Sequence, residues 1–390
     1  MKITAVKTIG MRWECPVMSD AMSICRARQA LWIRVETDCE IYGIGEAFCY
    51  GSPLVIGKYI VEEQLAPAII GEDPTEIERL WQKMYWRNVP NGRTGLVMGC
   101  ISGIDIALWD ILGKIANMLI SKLLGAHSDR VPAYASGGFY APGKDLDGLK
   151  REIEGYKKQG YQDIKIKIGR NPELSGNAVN YTASTEFSVS YKEDIRRIEA
   201  ARAVMGKEGR LAADINAAWP AEAVLAAAED FRKAGLNWLE EPILFEDEEG
   251  LKQLRDELLE ISLMGYETTQ GCKNFVRLMK ENAMDIVQPD IGWGGGISEL
   301  RKIGLAAQGF SKPVSLHSFG SCVHFAASLQ LADSLPNTEA IESEENRNLL
   351  KTGIIKTPFE HDERMNFYVP QLPGLGIEID WDEVEKIRVF

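Results

Sequence analysis

The chain has 390 residues, 45% of them hydrophobic and 26% charged, with 44 Lys plus Arg against 57 Asp plus Glu. That length accommodates two or three domains, or a β/α barrel of about 250 residues with a smaller unit attached. A net charge of -13 argues against a basic surface for nucleic acid, and seven scattered cysteines with no Cys-x-x-Cys pair exclude a disulfide framework or a zinc ribbon.

Cysteine usage of this kind points to a reducing cytoplasm. The first thirteen residues carry Lys2, Lys7 and Arg12 but no apolar run behind them, so they do not read as a signal peptide. Strand-like runs at 3–9 and 30–36 follow, and Gly43-Ile44 with Gly45-Glu46 read as the exit of a meander. Helical periodicity covers 60–70, 74–86 and 101–124. The most apolar stretch, 101–112, contains Asp105 and Asp110 and is too short to span a bilayer, so a buried helix is expected and no membrane partner.

From about Val131 the texture changes. Short β-branched runs at 131–136, 163–168, 211–216, 238–240, 262–264, 286–288, 313–316 and 340–342 alternate with amphipathic segments at 146–159, 192–205, 221–234, 248–259, 297–308 and 323–334. Eight strands separated by helices predict a parallel barrel, an α/β fold. The polar, Ser/Thr/Asn-rich stretch 170–190 interrupts this rhythm and is read as a mobile flap over the barrel mouth in preference to an inert insertion. The tail from Phe367, with Pro370, Pro373, Gly374 and Gly376, is too short for a domain and is expected to pack back on the first part.

In parallel barrels the reacting groups stand at the C-terminal ends of the strands. The polar residues ending these runs are Lys165 and Lys167, Asp214 and Asn216, Glu240, Glu267, Asp290, His317 and Glu342. Successive steps from Asp214 onward are 26, 27, 23, 27 and 25 residues, each about one β/α unit. Taken singly, a Lys-x-Lys is an ordinary half-exposed strand, Asp214 and Asn216 are helix caps, and His317 is a satisfied core histidine. Together they would have to place three acids, a lysine pair, an Asp and a His at one height by coincidence.

Three carboxylates from neighbouring strands, Asp214, Glu240 and Glu267, offer all-oxygen ligation that suits Mg²⁺ better than zinc. One such ion can take a substrate carboxylate and stabilise the ene-diolate left when the α-proton departs. Lys167 is the candidate base, its pKa pushed down by Lys165 and the metal. Asp290 can hydrogen-bond His317 across the ring and fix its tautomer.

These residues resemble the enolase superfamily, and within it the mandelate racemase subgroup. The resemblance rests on SGIDIALWDILGK at 102–114, KIK at 165–167, DIN at 214–216, LEEP at 239–242, QPDIGWGGG at 288–296, His317 and PGLGIEID at 373–380. It implies an N-terminal α+β capping domain (1–125), a modified TIM barrel, (β/α)7β, at 126–366, a C-terminal segment (367–390) packing back on the cap, and one Mg²⁺ per subunit. It implies Lys167 as base, Asp214, Glu240 and Glu267 as ligands, His317 with Asp290 as a dyad, and Glu342 as a substrate-binding group. Residues 14–23 and 49–53 match the cap loops that carry specificity in this family, and relatives are commonly homo-oligomers. The sequence departs from the family pattern at Tyr266, where Gly often precedes the third ligand, and in the length of 170–190.

The partial reaction implied is α-proton abstraction from a carboxylate, with a small-molecule acid sugar or its lactone as substrate. Dehydration of an aldonate or aldarate to a 2-keto-3-deoxy acid ranks first. Cycloisomerisation of an acid-sugar lactone ranks second, because 317–346 and the tail are similar to those of galactarolactone cycloisomerases, and racemisation or epimerisation follows. A non-catalytic binding barrel would lack a base or ligand, and none is missing. A metal-free phosphate-binding barrel would show Gly-rich loops after the last two strands, where only Gly320 is found. Asn216, Tyr50 and Tyr140 are expected to line the pocket, while His127, His324 and His361 are assigned structural roles.

Overall fold

A computed structural model describes residues 1–175 and 185–390. Its N-terminal domain is an antiparallel three-stranded meander, β1 (Ile3–Ser19), β2 (Ile24–Thr37) and β3 (Tyr42–Ala47). β1 and β2 pair from Ile3 with Thr37 to Ser19 with Ile24, well beyond the runs legible in sequence. Their distal halves carry Arg12, Glu14, Arg26 and Arg28, which masks an inward face that includes Cys15, Met18 and Cys25. The Gly43–Glu46 stretch is itself the third strand. Gly43 and Gly45 let it press on the helix α1 (Leu96–Ala116), where an added Cβ would strike the carbonyl oxygens of Ala107 and Gly103.

α1 ends at Asn117, whose φ of 51° terminates the helix in the left-handed region. The expected helix over 101–124 is therefore two helices, the second being Ile120–Leu124. α1 is long and apolar enough to cross a membrane by composition, but it is mostly buried inside the protein. Its two acids explain why it belongs there. Asp105 accepts hydrogen bonds from the Ser298 amide (2.9 Å) and hydroxyl (2.6 Å) of the barrel. Asp110 accepts from the amides of Ile44 (3.0 Å) and Leu375 (3.0 Å), and so ties the cap sheet to the tail.

Eight parallel strands form the barrel: β4 (Arg130–Gly137), β5 (Asp163–Lys167), β6 (Arg210–Asp214), β7 (Trp238–Glu240), β8 (Ser262–Gly265), β9 (Ile286–Val287), β10 (Val314–Leu316) and β11 (Thr338–Glu344). Each pairs with the next and β11 closes on β4, with Ile341 opposite Ala133. Among the described residues seven helices pack around it, α2 (Leu146–Gln159), α3 (Tyr191–Met205), α4 (Ala221–Ala234), α5 (Glu248–Glu257), α6 (Cys272–Lys280), α7 (Gly296–Gly309) and α8 (Cys322–Ser334). The fold is the (β/α)7β barrel. α6 is the helix that sequence periodicity did not single out. The short strands are nearly continuous apolar runs because both faces are covered, one by the barrel interior and one by helices.

The cap is fastened to the barrel at α8. Glu46 of β3 is fully buried and accepts hydrogen bonds from the amides of Ser321 (3.1 Å) and His324 (3.3 Å). A carboxylate there satisfies the orphan donors of the helix N-terminus and complements its dipole. Burial pushes this carboxyl above its ordinary range. The tail returns to the cap, where Gly10 and Phe390 are hydrogen-bonded and the Val389 amide reaches the Gly10 carbonyl at 2.8 Å.

Candidate active site

Strand register brings the polar ring together. Lys167 is paired with Asp214, and Asp214 with Glu240. Glu267 lies just past the end of β8, Asp290 and His317 form a bridge beyond β9 and β10, and Glu342 stands on β11. Lys165 and Lys167 are two residues apart on β5 and so share its inward face. All these side chains are buried at a barrel end that the cap covers.

The lysines hold the carboxylates in this arrangement. Lys165 Nζ bonds Glu240 and lies 2.9 Å from Glu342 Oε1 and 3.6 Å from Asp214 Oδ2. Lys167 Nζ is hydrogen-bonded to Asp214. Burial works to lower the Lys167 ammonium and Lys165 adds to this, but Asp214 together with Glu267 and Glu240 outweighs them and holds it above its ordinary value. This differs from the lowered pKa expected from the lysine pair. The acid on the adjoining strand is nearer than the neighbouring cation, so Asp214 must be engaged elsewhere before Lys167 can take a proton.

Charge is unbalanced here. Asp214, Glu240, Glu241, Glu267 and Glu342 share the space with two ammonium groups. Burial, with repulsion from Asp214 and Glu342, pushes the Glu240 carboxyl up to about 8. Burial with Asp214 and Glu240 raises Glu267, and burial with Glu267 and Asp214 raises Glu241. Glu240 Oε2 is buried without a hydrogen-bond partner. With the ammonium groups drawn in among them the acids do not converge on one point, and among the described residues no three His, Cys, Asp or Glu side chains are gathered at metal-ligating distance. The donor set, all carboxylate oxygen with an orphaned buried atom and excess negative charge, nevertheless fits a hard divalent cation.

On the opposite side, His317 Nδ1 faces Asp290 Oδ2 at 2.6 Å, and its Nε2 points into the ring, 3.1 Å from Glu267 Oε2. Asp290 also accepts from the amides of Gly292 (2.7 Å) and Trp293 (2.8 Å). Burial works to lower the imidazole, but Glu342 and Asp290 outweigh it and raise its pKa. Asp290 is held well below the carboxylate range because His324 and His317 overcome the effect of burial.

Between Lys167 and His317 opens a narrow cleft of about 30 Å³, lined by Asp20, Phe48, Tyr50, Phe139, Lys167, Asn216, Glu267, Trp293, His317 and Phe319. Asn216 has its amide nitrogen on Asp214 (3.2 Å) and leaves its buried Oδ1 without a partner. Tyr50 reaches the cleft from the cap and hydrogen-bonds Ser23 at 2.7 Å, linking the two cap loops. Tyr140 does not line the cleft. It is buried behind it and donates to Asp194 at 2.7 Å, while its neighbour Phe139 takes the lining position.

The described ends of the 170–190 stretch are tied to the cap. Buried Arg170 donates to the carbonyls of Asp20 and Ala21 at 3.3 Å, and Glu186 pairs with Arg26 at 2.7 Å. The flap reading concerns mainly 176–184, which lie outside the described residues.

Sequence reasoning missed Asp20 and most of the aromatic wall, and it gave His324 a structural role without its contact to Asp290. His324 Nε2 lies 3.0 Å from Asp290 Oδ2 and its Nδ1 is 3.2 Å from Ser318 Oγ. His317 lies just past β10 and His324 in the first turn of α8, so the helix was legible in sequence but the turn of its first residues back toward Asp290 was not.

The geometry defines a barrel class whose strand ends carry acid-base groups on two sides of a single cleft, beside a carboxylate cluster suited to a cation. Residues 3–125 match the mandelate racemase / muconate lactonizing enzyme N-terminal domain and residues 148–384 the enolase C-terminal domain-like family. The chain belongs to this branch of the enolase superfamily. It is 36% identical over 345 residues to an arabinonate dehydratase of Saccharolobus solfataricus, spanning 88% of this chain and 87% of that protein. A D-galactarolactone cycloisomerase of Agrobacterium fabrum is 30% identical over 401 residues, spanning 100% and 99%. A racemase from Streptomyces coelicolor A3(2), solved with bound magnesium, shares the fold with a TM-score of 0.86 at 23% identity, covering 99% of this chain and 100% of that one.

Proposed function

We propose that the protein removes the α-proton of an acid-sugar carboxylate and then expels a β-hydroxyl as water, making it a Mg²⁺-dependent acid-sugar dehydratase. The observation that carries this reading is the placement of Lys167 and His317 on opposite sides of one cleft, each aimed inward from a buried partner.

Asp214, Glu240 and Glu267 would hold the ion. Bound there, Mg²⁺ supplies positive charge to the substrate carboxylate, which stabilises the negative charge that develops on deprotonation. Lys167 Nζ accepts the α-proton once its ammonium proton has been lost and Asp214 is engaged elsewhere. His317 Nε2, with Nδ1 fixed by Asp290, donates a proton to the departing hydroxyl. Asn216 offers its unpaired Oδ1 to a substrate hydroxyl, and Glu342 holds Lys165 beside the base. The aromatic cover from Phe48, Tyr50, Phe139, Trp293 and Phe319 keeps water from the deprotonated carbon. The resulting enol becomes a 2-keto-3-deoxy acid.

The full-length match to a galactarolactone cycloisomerase supports a second reading, in which the group expelled is a lactone oxygen and the first proton transfer is the same. Incubation with Mg²⁺ in D₂O, with aldonates, aldarates and their lactones, tests both by NMR. A keto product from an open acid, lost in Lys167→Ala, is expected. Product from lactones alone selects the second reading, and absence of both product and α-deuteration with every carboxylate overturns the proposed chemistry.

A further inference from the structure

The wall of the cleft carries information about the far end of the substrate. Among the described residues lining it, Lys167 is the one non-histidine cation, and it stands at the reacting end. The opposite, cap-derived end is made by Tyr50, aromatic rings and Asp20. The Asp20 carboxylate is fixed there, accepting from the amides of Met22 (2.8 Å) and Ser23 (2.6 Å) and from the Ser23 hydroxyl.

A wider depression of about 550 Å³ continues outward over Phe48, Tyr50 and Trp293, and its one charged lining residue among those described is Glu246. Four nearby arginines are committed elsewhere. Arg12 pairs with Glu14 at 2.7 Å, and Arg170 donates to the backbone carbonyls of Asp20, Ala21 and Glu186. Arg28 packs over Phe319 and pairs with Glu344 at 2.7 Å, and Arg26 pairs with Glu186. Residues 176–184, outside those described, contain no Asp, Glu, Lys, Arg or His.

A second carboxylate at the far end of a substrate would therefore lose its hydration beside Asp20 and gain no counter-charge. We infer that the enzyme selects monocarboxylates, with Asp20 as the specificity-determining residue: aldonates, or acid-sugar lactones with a single free carboxylate, in preference to aldarates. This rests on the proposed α-proton chemistry and narrows its substrate class. Asp20 acts by repulsion, so specificity comes from rejecting the dianion as much as from contacts to the monoanion.

Kinetics of the Mg²⁺-loaded protein on stereochemically matched five- and six-carbon aldonate and aldarate pairs, with lactones alongside, test this through α-deuteration and keto-acid formation. The wild type is expected to favour the monocarboxylate in kcat/KM by about tenfold or more. Asp20→Asn retains the amide-accepting oxygen of the turn and removes the charge, and is expected to narrow the ratio by raising turnover of the aldarate. Equal or better use of aldarates by the wild type overturns the inference while leaving the proton chemistry intact. A monocarboxylate preference unchanged in Asp20→Asn overturns the assignment to Asp20. Absence of both exchange and keto-acid formation with either class overturns the underlying function and this inference with it.

Discussion

His324 Nε2 approaches Asp290 Oδ2 at 3.0 Å, the same carboxylate oxygen that faces His317 Nδ1 at 2.6 Å. Two imidazoles therefore share one buried acid, and the second of them stands on α8, whose N-terminus is capped by Glu46 of the N-terminal domain. Burial works to lower the His324 pKa, but Asp290 and Glu46 outweigh it. The orientation of the proposed acid is thus set by a chain of contacts running from the cap sheet to the cleft.

His324→Phe is expected to lower the rate of product formation by about tenfold to a hundredfold, as for other residues that orient a reacting group from behind. Proton exchange at the α-carbon, the Lys167 step, should persist. Rates of deuteration and of keto-acid release measured on the same sample separate the two. Equal loss of both in a variant of unchanged melting temperature would sink the positioning role.

Excess negative charge at the strand ends predicts that a divalent cation stabilises the fold. Mg²⁺ at a hundredfold excess over its Kd should add about 2.7 kcal/mol of stability. Glu240→Gln and Glu267→Gln should lose this increment. Thermal denaturation with and without Mg²⁺, or after a chelator, reads it directly. A Mg²⁺ response retained in both variants would place the ion elsewhere.

Asp105 gives a pH signature at the cap-barrel seam. Burial raises its carboxyl to about 7, with the Ser298 hydrogen bonds working the other way. The folded state then holds a proton that the unfolded chain releases near its ordinary value of 3.8. The stability from this group is full below about pH 4 and is lost as pH rises toward 7. Asp105→Asn should flatten the dependence of melting temperature on pH across that window. An unchanged slope would show that the acid titrates normally.

Close approach of β3 to α1 depends on missing side chains at Gly43 and Gly45. Gly45→Ala should destabilise the protein by about 1–3 kcal/mol, because the added carbon meets backbone and no rotamer can relieve it. Chemical denaturation measures the change, and a cost within a few tenths of wild type would mean that the sheet lifts freely from the helix.

The sequence by itself determined the barrel and its ring. Polar residues closing apolar strands at intervals of one β/α unit are brought to one end of a parallel barrel, so Lys165, Lys167, Asp214, Glu240, Glu267, Asp290, His317 and Glu342 were legible before any coordinates. That pattern is local, repeating within each strand and helix. The full length of β1 and β2 and the break at Asn117 were less legible because polar residues at buried or boundary positions blur the period, whereas α6 keeps helical spacing at Phe275, Leu278 and Met279 but is only nine residues long.

Only the tertiary structure decided the chemistry's surroundings. Asp20, Tyr50, Phe139 and Trp293 come from four distant segments and meet only when the cap closes on the barrel. Tyr140 and Phe139 are adjacent in sequence, yet one faces the cleft and the other faces Asp194. The protonation of Lys167 depends on Asp214, 47 residues away, and the aim of His317 on a second histidine behind Asp290. Spacing along a chain specifies which groups share a strand end, whereas electrostatic balance depends on distances and burial that exist only after folding.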